Sequence, residues 1–137
     1  MNDPTQPTAV LDASALLAFI YHERGADIVA RAIANGCLIG TVNWAEVLAK
    51  LVTAGGDPQQ VTAMALPGGP STRLELVTFD DEQARESGRL IRKTRSLGLS
   101  LADRAAIALA QLRHLPVLTT DRAWRSLHLP IRIEVIR

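Results

Sequence analysis

Four short apolar runs, each followed by a helical pattern, constrain this chain more than any other feature. They are Thr8–Leu11, Cys37–Gly40, Leu74–Phe79 and Val117–Thr120. Parallel strands need a crossover between them, and a helix is the usual one. Apolar residues at helical spacing supply it: Leu16, Leu17 and Ile20 after the first run, and Trp44, Val47, Leu48 and Leu51 after the second. Gly25 sets off a further helix carrying Ile28, Val29, Ala32 and Ile33, which stops at Asn35-Gly36. Asp57-Pro58 restarts a helix through Val61, Met64 and Leu66, and Pro67-Gly68-Gly69-Pro70 is a loop. Asp80, Asp81 and Glu82 open a long helix to Leu97-Gly98, and Leu99–Ala110 carries another. A short helix around Trp124 leads to a last strand, Ile131–Ile136. The alternation predicts an α/β sandwich with a mainly parallel central sheet and helices on both faces.

The length, 137 residues, and a hydrophobic content of 47% predict one domain over residues 8–137. Residues 1–7, broken by Pro4 and Pro7, read as a loose, flexible tail. The lone Cys37 has no intrachain partner, no secretory signal is evident, and no apolar run approaches the roughly 18 residues that span a bilayer. A cytoplasmic protein follows. A net charge of +1 does not announce a polyanion partner. Of 15 cationic residues, however, only Lys50 and Lys93 are lysines, and guanidinium suits bidentate phosphate recognition.

In open parallel sheets, ligands bind beyond the carboxyl ends of the strands. Asp12 and Asp121 directly follow predicted strands, and Glu46 and Asp103 fall in the first turns of predicted helices. Each has a local explanation. Asp12 and Asp121 can cap helices, Glu46 can pair with Asn43, and Ser100 with Asp103 spells a capping box. Four carboxylates brought to one sheet edge would repel one another without a counter-charge, and the strand ends offer no Lys or Arg. A hard divalent cation fills that role. Oxygen donors without a His or Cys cluster suit Mg²⁺ or Mn²⁺, which retain waters and take substrate phosphate as a further ligand. Phosphoryl chemistry is the expectation.

The stretches Val10-Leu11-Asp12-Ala13-Ser14-Ala15-Leu16-Leu17, Thr41-Val42-Asn43-Trp44-Ala45-Glu46-Val47, Leu99-Ser100-Leu101-Ala102-Asp103-Arg104-Ala105 and Leu118-Thr119-Thr120-Asp121-Arg122 occur in this order. Together they resemble PIN-domain ribonucleases, in particular the VapC toxins of type II toxin-antitoxin pairs, over nearly the whole chain from Thr8 onward. The resemblance implies a PIN-like three-layer α/β/α sandwich. It implies a catalytic acid set at Asp12, Glu46, Asp103 and Asp121 that binds Mg²⁺ or Mn²⁺, with Asp12 and Asp103 as direct ligands. Ser14 matches the small hydroxyl after the first acid and Asn43 a small polar position, both in supporting roles. RNA as substrate, a VapB-type antitoxin and a homodimer are likewise implied. The apolar helix pair carrying Phe19, Tyr21, Trp44, Leu48 and Met64 would offer the groove for these partners.

Arg104 and Arg122, each following a site acid, are candidates for contact with RNA, and Arg85, Arg89 and Arg92 share a helical face that could track its backbone. His22, His114 and His128 lack ligand spacing and read as surface or capping residues. A phosphatase of the haloacid-dehalogenase type would want an acid where Ser14 stands, and a receiver domain a lysine at the last strand end. The remaining alternative is a non-catalytic PIN-fold RNA-binding or scaffold module, against which the intact acid quartet argues.

Overall fold

The computed structural model describes residues 3, 5–57, 59 and 73–137. The helix expected from Asp57-Pro58 through Leu66, the loop 67–70, Met64, and Met1, Asn2 and Pro4 of the tail lie outside the described residues.

Five strands form a fully parallel sheet in the order β3-β2-β1-β4-β5: β1 (Ala9–Leu11), β2 (Cys37–Gly40), β3 (Leu74–Val77), β4 (Val117–Thr119) and β5 (Ile133–Val135). Helices α1 (Ala13–Ile20), α2 (Ala26–Asn35), α3 (Thr41–Thr53), α4 (Asp81–Arg89), α5 (Ile91–Thr94) and α6 (Leu101–Arg113) accompany it, with 3₁₀ turns at Arg95–Leu97 and Arg122–Ser126. Side chains alternate across the sheet with the period of two that a strand imposes. Ala9, Leu11, Cys37, Ile39 and Leu118 pack with α1, α2 and α3 on one face. Val10, Leu38 and Val117 pack with α6 and the fully buried Trp124 on the other. Three layers result, as the alternating sequence predicts.

The boundaries differ in instructive places. The long helix after Asp80 is broken into α4, α5 and a 3₁₀ turn, with Gly88, a poor helix former, just ahead of the break. The last strand is shorter than Ile131–Ile136. Glu46 lies in the second turn of α3, because that helix starts directly at Thr41 from Gly40 with no side-chain cap. Asn43 therefore is not a capping partner of Glu46. His114, read from sequence as a surface or capping residue, closes α6 in the left-handed region and is exposed. Gly25, also left-handed at φ +98°, has no space for a Cβ, which would stand 2.8 Å from the carbonyl oxygen of Ile136.

Candidate active site

Because all five strands run the same way, the chain leaves β1, β2 and β4 at one edge of the sheet. Asp12 follows β1 and its backbone N–H donates to the Leu118 carbonyl at 3.1 Å, which fixes the end of β1 against β4. As N-cap of α1, its Oδ1 accepts from the Ala15 N–H at 2.8 Å and from the Ser14 hydroxyl at 2.7 Å. Both of those bonds fall on Oδ1. Asp12 is only 4% exposed. Burial pushes its carboxyl up to about 6 and the Asp103 charge adds to the rise, while hydrogen bonds from Thr119, Ser14 and Ala15 oppose it.

Asp103 serves two ends at once. Its Oδ2 accepts from the Ser100 N–H at 3.0 Å while its own N–H donates to Ser100 Oγ at 3.1 Å, so the capping box at the start of α6 is complete. Oδ1 is left over. Asp121 repeats the arrangement at the 3₁₀ turn, its Oδ1 accepting from the Ala123 N–H at 2.9 Å. Local capping and a site role are thus not exclusive readings: a cap uses one oxygen of each aspartate.

Asp12, Glu46, Asp103 and Asp121 line one open cleft of about 340 Å³, together with Ala13, Ser14, Thr120 and Lys50. Four acids from four separate segments of the chain meet there. Ser14 joins two of the segments: its hydroxyl donates to Asp12 and accepts from the Thr120 N–H at 3.0 Å. The buried Thr119 accepts from the Asp121 N–H at 3.1 Å through its hydroxyl. Asn43, 1% exposed, does not line the cleft; its Nδ2 donates to the Ala102 carbonyl at 3.0 Å and ties α3 to α6 one residue before Asp103.

Among the described residues, no three His, Cys, Asp or Glu side chains form a group that could hold an ion on its own. The donor chemistry nevertheless fits a hard divalent cation. The cleft brings four carboxylates together with the oxygens of Ser14 and Thr120 and no His or Cys donor among the described residues, one carboxylate being on a buried aspartate held above the usual range, and Mg²⁺ binds by one or two carboxylates with waters completing its shell.

The two arginines that follow site acids in sequence do not line the cleft. Arg104 donates to the Ser87 carbonyl on α4 at 2.9 Å, since a step of about 100° per residue turns it onto the face of α6 that packs on α4. Arg122 donates to the Arg137 carbonyl at 3.2 Å. Arg85 and Arg89 are paired along their own helix with Asp81 and Glu86 at 2.8 and 3.1 Å. Among the described residues, the cation that does line the cleft is Lys50, four residues after Glu46, a spacing that puts both on one face of α3.

A family model described as PIN domain matches residues 9–128. The chain belongs to the PIN-domain family. No curated protein matches it. Among solved structures, the fold is similar to that of DNA-bound VapBC from Salmonella typhimurium, with TM-score 0.69 and 19% identity, covering 94% of this chain and 98% of that one. It is similar to VapC20 of Mycobacterium tuberculosis, a toxin that cleaves the sarcin-ricin loop, with TM-score 0.69 and 12% identity over 91% and 99% of the two chains. VapBC-5 from Mycobacterium tuberculosis, a toxin-antitoxin system, is 25% identical over 96% and 99%, with TM-score 0.60.

Proposed function

We propose that this chain is a metal-dependent endoribonuclease, the toxin of a VapBC-type pair, acting on RNA in the cytoplasm to arrest translation or growth. The observation that carries the reading is the convergence of Asp12, Glu46, Asp103 and Asp121 on one cleft at the carboxyl edge of the sheet. Similarity in fold to VapBC complexes and to an RNA-cleaving VapC supports the toxin assignment and a VapB-type antitoxin as partner; a homodimer belongs to the same reading.

Asp12 and Asp103 would hold Mg²⁺ or Mn²⁺, each by the carboxylate oxygen its cap leaves over, and Glu46 and Asp121 would complete the shell directly or through waters. When bound, the ion supplies the positive charge that offsets the acids and the phosphate of the substrate. Ser14 holds the Asp12 carboxylate in one orientation, and Asn43 fixes the start of α6 and with it Asp103. The acids would orient and deprotonate a water for attack on phosphorus; the P–O3′ bond breaks, the 3′ oxygen leaves and takes a proton from solvent, and the 2′-hydroxyl takes no part. Half-buried Glu46 is the acid with neither a capping duty nor full burial, which suits it to accept the proton of the attacking water.

The test is RNA cleavage by the purified protein with Mg²⁺ or Mn²⁺, compared with Asp12→Asn, Glu46→Gln, Asp103→Asn and Asp121→Asn. Loss of cleavage in the folded variants supports the assignment. A wild-type protein that binds RNA and never cuts it would instead make the chain a non-catalytic PIN module.

A further inference from the structure

With one divalent ion bound, the four acids would still carry surplus negative charge, and the substrate of the proposed reaction is a polyanion. Something in the cleft must favour phosphate. Among the described residues lining it, Lys50 is the one cation. It projects from α3 one turn beyond Glu46, is exposed, and forms no ion pair with a described residue. That independence is informative, because a Glu four residues before a Lys is the favourable order for pairing along a helix. An ammonium uncommitted at the rim of an acidic cleft is placed to meet an anion. Arg104 and Arg122, the sequence-adjacent alternatives, are engaged with backbone carbonyls away from the cleft lining.

We propose that Lys50 is a substrate-binding residue whose ammonium contacts a non-bridging phosphate oxygen of the RNA strand as it enters the cleft. The proposal rests on the nuclease reading of the acids. It assigns Lys50 to strand binding and leaves metal binding to the carboxylates. A purely structural lysine, stabilising the last turn of α3 through the helix dipole, would leave RNA affinity unchanged.

The test is binding of a short unstructured RNA oligonucleotide in the uncut Asp103→Asn background, titrated against salt, with and without Lys50→Ala. A lost single-strand phosphate contact lowers the slope of log affinity against log salt by about 0.7. The expected result is that slope change, a several-fold weaker affinity, rescue by Lys50→Arg and unchanged thermal melting. Equal affinity and slope with and without Lys50→Ala, or no binding in either, overturns the proposal. The nuclease reading is judged separately, by metal-dependent cleavage in the protein with its acids intact; Lys50→Ala alone should raise KM there and leave the Mn²⁺ requirement in place.

Discussion

The Ser14 hydroxyl lies 2.7 Å from Asp12 Oδ1 and donates to it, while the Thr120 N–H donates back to the same hydroxyl. One small side chain thus fixes the orientation of the buried acid and pins the end of β4 beside it. Ser14→Ala removes both bonds. Cleavage should fall by about 10- to 100-fold, as when an outer partner of a metal ligand is removed, with a loss of about 1 kcal/mol in stability. Single-turnover kinetics alongside denaturant melts measure the two effects. Full activity in a stable Ser14→Ala protein would remove Ser14 from the mechanism.

Asp12 gives the metal-free protein a pH signature. Its carboxyl sits at about 6 against an ordinary 3.8, so the folded chain holds a proton that the unfolded chain has released. Stability is therefore greatest below the unfolded value and declines as pH rises towards about 6; above it the full penalty remains, on the order of 3 kcal/mol. Asp12→Asn should melt several degrees above wild type at neutral pH without metal, and the gap should close below about pH 4. Added Mn²⁺ should narrow the gap by stabilising wild type alone. A pH-independent difference would contradict this account.

Arg104 follows the site acid Asp103, yet its guanidinium holds α6 to α4 through the Ser87 carbonyl. Arg104→Ala should destabilise the fold by about 1–3 kcal/mol through the unmade bond to that carbonyl. The salt slope of RNA binding should stay where it was. A lowered slope in a protein of unchanged stability would restore Arg104 to the RNA interface.

Asn43 lies outside the cleft lining. Its side chain bridges to the Ala102 carbonyl, so Asn43→Ala frees the start of α6 and lets Asp103 wander. The expected outcome is weaker Mn²⁺ binding and a lower kcat, with the KM for RNA little changed. Calorimetric titration of Mn²⁺ into the variant checks it, and wild-type affinity would argue that Asn43 is structural only.

Much of this architecture is legible in the sequence because strand and helix periods switch sharply at Asp12, at Gly40 and after Thr120, and the parallel order then brings those switch points to one edge. What was not legible depends on facing surfaces. Nothing local says that Arg104 will meet Ser87, 17 residues earlier on another helix. The start of α3 carries no capping side chain, so local signals point to Asn43 as a cap and to Glu46 in the first turn, whereas the helix begins at Thr41 and Glu46 falls in the second. Lys50 was legible in principle: four residues after a site acid on a helix is the same face. The helix break after Arg89 follows Gly88, a weaker signal than the acids that open α4.

If the four acids and a divalent ion hydrolyse RNA with water as the nucleophile, the chemistry of the cut ends records it. RNA incubated with the protein and Mg²⁺ or Mn²⁺ should yield 5′-phosphate and 3′-hydroxyl ends, absent with Asp103→Asn and absent with chelator. Ends bearing 2′,3′-cyclic phosphate, or cutting that survives chelation and loss of Asp103, would contradict it.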